Sequence, residues 1–258
     1  MGRYLGLIYG TACYAIFFVT FLYLVGFLGN VVVPKTIDSG SAGPAAVAVA
    51  VNLGLIVLFG VQHSIMARPA FKARWTKIVP RSVERSTYVL VASLALIALY
   101  ALWQPLPAVV WRAEAPWLVA LLWGIFAAGL LLVLLSTFVI NHFDLFGLRQ
   151  VFLNWRRKPY VDLPFQVSSF YRFVRHPLYV GWFLAFWGTP HMTVGHLLFA
   201  AGMSVYIIVA VRHEERDLAR ALGADYVEYC RRVPKFVPRL GHAHEPVRAG
   251  TRQPLASR

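Results

Sequence analysis

Acidic side chains are scarce in this chain, 11 Asp and Glu against 25 Lys and Arg, and charged residues together reach only 14% of its 258 positions. A soluble domain carries about a quarter of its residues as charges, so water is excluded as the main solvent. Cysteine is equally sparse. Cys13 lies in an apolar run and Cys230 in a basic stretch, which excludes a disulfide framework, and no metal-type spacing is present. The eight histidines are scattered, and His142 with Asp144 or His242 with His244 are too few donors for a metal site. No Ala-x-Ala-like cleavage site follows the first apolar run, which continues from Arg3 to about Val33. It therefore reads as a retained first span rather than a signal peptide. There is no basic domain either. The net charge of +14 is spread between and after apolar runs, which argues against a nucleic-acid partner and for loop charges that set membrane topology.

What the chain has in plenty is hydrophobicity, 59% of all residues. A bilayer core takes about 20 apolar residues as helix, and residues 5–29, 45–66, 88–106 and 117–140 form four such stretches. A polar segment, 141–175, precedes two further apolar runs, 178–189 and 194–211, separated only by Pro190, His191, Met192 and Thr193. The pattern predicts an all-α polytopic membrane protein of about six helices, ending in a tight helical hairpin. At about 1.5 Å per residue the 178–189 run reaches only about 18 Å, so it spans only when tilted, extended or helped by a thinned bilayer.

Segment 67–87 holds Arg68, Lys72, Arg74, Lys77, Arg81 and Arg85, whereas the loops near Lys35 and Arg112 hold one cation each. The basic loop is expected on the cytoplasmic side. Alternation then places both termini and segment 141–175 inside, in a multi-pass protein of the cell (inner) membrane. Three regions are expected: a four-span bundle over 1–140, a cytoplasm-facing binding region with the hairpin over 141–238, and a disordered tail over 239–258 rich in His, Arg, Pro and Gly.

The densest polar constellation, Tyr171-Arg172-Phe173-Val174-Arg175-His176-Pro177-Leu178-Tyr179-Val180-Gly181, stands where the polar segment enters the hairpin. Pro177 suits the first turn of a helix. Free amides there, with Arg175 and His176, make a site for a carboxylate or phosphate; the plainer reading is a juxtamembrane Arg before a proline start. The return helix leads into His213-Glu214-Glu215-Arg216-Asp217 at the same face. Two acids meeting two bases can hold a zwitterion. Alternatively these acids are solvated, or pair with Arg216 or Arg220 one turn away, on a helix running to Leu222 with Gly223 as its cap.

The spacing Arg175-His176-Pro177-x-Tyr179-x-Gly181, then Glu214-Glu215, then Gly223-x-x-Tyr226-x-x-Tyr229 and Val233-Pro234 resembles the isoprenylcysteine carboxyl methyltransferase superfamily. The match covers residues 168–238. It implies S-adenosylmethionine as cofactor, wrapped at the cytoplasmic face by Tyr171, Arg175, His176, Tyr179, Gly181, Glu214 and Glu215. Over most of its length the chain looks most like the family of membrane methanethiol S-methyltransferases. That likeness is carried by Gln62-His63-Ser64-Ile65-Met66-Ala67-Arg68-Pro69, by Glu84-Arg85-Ser86-Thr87-Tyr88, and by the run from Tyr171 to His196. The first two passages also resemble the NnrU-type membrane proteins. The expected reaction is methylation of a small thiol, methanethiol to dimethyl sulfide.

Such a reaction needs thiolate, and alkyl thiols ionise above neutral pH, near 8.5 for cysteine. His142, oriented by Asp144, is one candidate base, and His63, at membrane depth, is another. Gln62, Glu84 and Arg85 are candidate substrate contacts. Three alternatives stand beside this reading: a larger lipid-like acceptor such as prenylcysteine or phospholipid, an NADPH-dependent reductase resembling the membrane sterol reductases, and a non-catalytic NnrU-like membrane protein. The number of subunits is not legible in these residues.

Overall fold

The computed structural model describes residues 2–161 and 169–238. Five helices are long and apolar enough to cross a bilayer: α1 (Gly2–Gly29), α2 (Ala45–Ala67), α4 (Arg81–Leu102), α5 (Pro116–Ile140) and α9 (Val194–Leu222). Short helices join or extend them: α3 (Pro69–Trp75), α6 (His142–Leu145), α7 (Leu148–Trp155), α8 (Pro177–Trp187) and α10 (Ala224–Arg232). The chain is thus a polytopic, all-α membrane protein. Large apolar side chains such as Leu121, Leu131 and Phe138 of α5 stay exposed, as an outer surface solvated by lipid requires. The core is aromatic at its centre, with Phe27, Trp103, Phe199 and Phe186 almost fully buried.

The short fifth apolar run is a helix, as expected. The run 178–189 folds as α8, whose 11 residues rise about 16 Å, and it is shorter than the five candidate spans. A strand completes the passage. Residues His191–Thr193 (β2) pair antiparallel with β1 (Val109–Arg112) from the α4–α5 connection, and the Trp111 indole N–H donates to the Thr189 carbonyl at 3.1 Å. The stretch expected to be a tight turn is therefore part of a two-stranded sheet, and α8 with β2 runs from the α10 end of the bundle to the β1 end.

Glycine lets α8 lie close on α5. A Cβ on Gly181 would stand 2.7 Å from the Gly129 carbonyl oxygen, and one on Gly129 would stand 2.6 Å from the backbone of Gly181 and Ala185. Such small-residue contacts are how helices pack where no hydrophobic effect drives them together. Elsewhere α4 packs against α1 and α2, α9 against α2, and α7 folds back on α1.

Two boundaries differ from the apolar runs. Helix α4 begins at Arg81, after Pro80, rather than at residue 88, so Glu84 and Arg85 ride on its first two turns instead of lying in a loop. Helix α9 continues past residue 211 to Leu222, as its pattern predicted, and Gly223 stops it with φ +67°. At the end of α5, Asn141 adopts φ +136° and its side-chain oxygen accepts the Asp144 amide at 3.0 Å, turning the chain into α6. The expected tail over 239–258 lies outside the described residues.

Candidate functional site

The site forms where α8 begins. Pro177 occupies the first turn of α8 with His176 as its N-cap. The segment after α10 folds back as a strap: the Arg175 amide donates to the Pro234 carbonyl at 2.9 Å and the His176 amide to that of Lys235 at 3.2 Å. The Arg175 side chain is committed to the same strap. Its Nε donates to Glu215 Oε1 at 2.9 Å, and its Nη1 to the carbonyls of Cys230 and Val233 at 2.6 Å each. Glu215 also bonds His176 Nε2 at 3.1 Å through Oε1 and the Lys235 ammonium at 2.8 Å through Oε2. Arg175, His176, Glu215 and Lys235 make a clamp in which both Glu215 oxygens are bonded. Burial of the His176 ring outweighs the nearby Glu214 and Glu215 carboxylates and holds its pKa below the usual imidazole value.

Glu214 stands on the other side of this clamp. Among the described residues it accepts one hydrogen bond, from the Tyr179 hydroxyl at 2.9 Å. It lines a cavity of about 190 Å³ walled by Tyr171, Tyr179, Tyr226 and Tyr229, with Arg175 and His176 at one edge and Ile140, Leu145, Leu178 and Leu218 completing it. The Tyr229 hydroxyl donates to the Tyr171 carbonyl at 2.8 Å, fixing two walls together. Burial raises the phenol pKa of Tyr171, Tyr226 and Tyr229, so these rings stay neutral. An acid with a spare oxygen among electron-rich ring faces suits a cationic ligand. The arrangement fits the ammonium and sulfonium of S-adenosylmethionine, while Arg175 keeps Nη2 and His176 the adjacent helix start for a carboxylate.

The remaining expected site residues divide. Gly181 is not among the described residues that line this cavity; it packs on α5 at the Gly129 contact. His142 is buried, and both ring nitrogens are engaged, Nδ1 with the Thr137 hydroxyl at 2.8 Å and Nε2 with the Tyr14 hydroxyl at 2.7 Å. Burial lowers its pKa. Asp144 does not orient it, because its carboxylate accepts from Arg149 at 2.9 Å and from the Tyr160 hydroxyl at 3.2 Å. Glu84 and Arg85 do not pair with each other. Arg85 Nε donates to the Leu145 carbonyl at 2.6 Å, its guanidinium lies 4.8 Å from the Tyr88 ring centre, and Glu84 Oε1 is buried without a partner. Both line a second, open cleft of about 810 Å³ that shares Ile140 and Leu145 with the first cavity. Gln62 Nε2 donates to the Met66 sulfur at 3.1 Å, and its Oε1 is unpartnered. His63 bonds the Tyr88 hydroxyl through Nε2 at 2.8 Å.

Residues 52–239 match the NnrU protein family. The chain belongs to the NnrU family. Within it, the chain is 55% identical to the methanethiol S-methyltransferase of Mycobacterium tuberculosis over 92% of its own length and 98% of that protein's. It is 47% identical to the methanethiol S-methyltransferase of Crocosphaera subtropica over 93% and 94% of the two chains. Human nurim is 30% identical over 65% of this chain and 66% of its own. No solved structure matches.

In this NnrU-family chain, Tyr226 and Tyr229 stand in the C-terminal motif read from the sequence, and the structure puts both in the cavity wall. Tyr226 and Tyr229 recur at helical i, i+3 spacing on α10, a legible signal that they share a face. Lys235 in the strap carried no pattern. Arg68, which pairs with Asp217 at 2.8 Å and ties the end of α2 to α9, and Tyr88 stand in the two upstream passages of the likeness without a role assigned there, and Tyr206 lay among abundant membrane aromatics.

Proposed function

We propose that this protein transfers a methyl group from S-adenosylmethionine to methanethiol, forming dimethyl sulfide, at the basic end of the bundle. The observation that carries this is Glu214, an acid bonded once within a four-tyrosine cavity, in a chain about half identical, nearly end to end, to proteins named methanethiol S-methyltransferase. When bound, S-adenosylmethionine supplies an electrophilic methyl group on a sulfonium. Glu214 holds the ammonium, Tyr179 fixes that carboxylate, the tyrosine faces meet the sulfonium, and Arg175 with His176 offers the helix start to the carboxylate. Ile140, Leu145, Leu178 and Leu218 keep water from the reacting sulfur, which favours joining an anion to a cation. Fixing the reactants in line is worth about 7–11 kcal/mol in favourable systems.

The site lies at the end bearing Arg68 and the other cations of 67–87, which supports a cytoplasmic-facing site, with both termini cytoplasmic and the inner membrane as location. The adjoining 810 Å³ cleft favours one second reading, a larger lipid-like acceptor. Detergent-purified protein given S-adenosylmethionine and methanethiol should release dimethyl sulfide into the headspace. Cofactor binding without dimethyl sulfide moves the acceptor to prenylcysteine or phospholipid, and absence of binding overturns the methyltransferase reading.

A further inference from the structure

Beside His176 in the clamp, His63 and His142 stand as candidate bases, and their surroundings differ. His142 has both nitrogens hydrogen-bonded and its ring stacked 4.4 Å from that of Phe138. No lone pair is left for a substrate proton. Among the described residues His63 uses only Nε2, on Tyr88, while Nδ1 is buried and unpartnered. A buried ring nitrogen without a partner is uncommon in native structures and calls for an explanation such as a ligand.

The position of His63 supplies one. Its ring lies 5.1 Å from that of Tyr88 and 6.3 Å from that of Tyr206, at the junction of α2, α4 and α9. Gly60, one turn earlier, makes room for Tyr206, since a Cβ there would stand 2.8 Å from that ring. The charge of Glu214, on the cavity wall and bonded to Tyr179, acts on both Tyr88 and Tyr206. Tyr88 on α4 and Tyr206 on α9 face the imidazole, and the Arg85 charge on α4 acts on it; one step further out, Glu84 and Glu214 act on Tyr88, and Glu214 and Arg68 on Tyr206. Arg85, over the Tyr88 ring, favours an anion beside the pair.

We infer that His63, held by Tyr88, is the base that takes the proton of the thiol substrate, and that Tyr88 is its positioning residue. The inference rests on the thiol methylation proposed above. With Nε2–H donating to the Tyr88 oxygen, Nδ1 presents its lone pair. The S–H bond breaks, its electron pair stays on the substrate sulfur as thiolate, and the proton forms an N–H bond at His63 Nδ1. That proton leaves to water after product departs. His142 is a structural residue of the α1–α5–α6 junction.

The test compares the full-length purified protein with His63→Gln, Tyr88→Phe and His142→Gln, following dimethyl sulfide formation between pH 5.5 and 9 and S-adenosylmethionine affinity by calorimetry. His63→Gln should lower kcat/KM for methanethiol about 100-fold or more near neutral pH with cofactor affinity within about twofold. Its rate should then climb about tenfold per pH unit, following the ionisation of the thiol alone. Tyr88→Phe removes only a hydroxyl; it should lower kcat about tenfold and displace the acid limb of the profile, which loss of packing would not do. His142→Gln should keep the unaltered pH profile. If His63→Gln binds no cofactor, Tyr88→Phe decides: an unchanged acid limb overturns the inference. A normal rate and profile in His63→Gln, or a lost acid limb in His142→Gln, also overturns it while leaving the methyltransferase intact. Absence of dimethyl sulfide from the unaltered protein overturns the thiol reading, and this inference with it.

Discussion

Glu214 and Glu215 are neighbours in the chain and occupy two different regions of the molecule. Glu215 belongs to the clamp, where Arg175, His176 and Lys235 fill both of its oxygens. Glu214 belongs to the cavity, where Tyr179 is its one hydrogen-bond donor among the described residues. Successive helical residues point about 100° apart, so α9 sends one acid into the strap and the other into the tyrosine-lined space. Identical side chains thus divide the work: the saturated one holds the fold of the site, and the unsaturated one is left for a ligand.

Removing the saturated acid should do the most damage to the fold. Glu215→Ala leaves the largely buried Arg175 without its counter-charge and the His176 ring without its hydrogen-bond partner, an effect of about 3–5 kcal/mol for buried pairs, and should lower the thermal unfolding midpoint in detergent by many degrees. A midpoint like that of the unaltered protein would break the contrast. Glu214→Gln should instead leave ligand-free stability unchanged and weaken S-adenosylmethionine binding by about 10- to 100-fold, the loss of one charge-assisted contact of about 1.5–3 kcal/mol; calorimetric titration reads it directly. Equal affinity in this variant would show that the cavity acid is not an anchor.

Gly181→Val sharpens the distinction from outside both regions. Forced against the Gly129 carbonyl, the new side chain should destabilise by about 1–3 kcal/mol, and the cofactor affinity of the fraction that remains folded should not change. A selective loss of affinity would return Gly181 to the binding surface. The smallest effect is expected from mild acid. His176 and His142 both have pKa values pushed below the usual imidazole value by burial, so the unfolded chain binds protons first as pH falls through about 6.5. Stability contributed by the neutral rings should be fully present above that pH and decline below it toward the folded values. Unfolding midpoints measured from pH 7.5 down to 5 should show this slope, and His142→Gln should reduce it.

Much of this arrangement is legible in the residues. Long apolar stretches announced five spanning helices, Pro177 and Gly223 marked where α8 starts and α9 stops, and the cations of 67–87 marked the basic end. Hydrophobic length and local backbone preference act over a few turns, so the sequence carries them openly. Other features were hidden because they depend on which element lies beside which. Nothing within 178–189 says that a strand of the α4–α5 connection will complete its passage, or that Gly181 will meet Gly129. The histidines make the same point: His142 and His63 are equally polar residues near apolar runs, and only the packing of Tyr14 and Thr137 around one and Tyr88 beside the other distinguishes them.

The sequence by itself determined that the protein is an α-helical membrane protein, where its long helices begin and end to within a turn or so except at the start of α4, and which acids, bases and tyrosines are brought to the mouth of the C-terminal hairpin. Tertiary structure alone decided which of these are already consumed by protein partners. Hydrogen-bond capacity is finite, and Arg175, Glu215 and His142 spend most or all of theirs on groups distant in the chain. Glu214 and His63 keep an acceptor in reserve because the packing brings each of them one partner among the described residues.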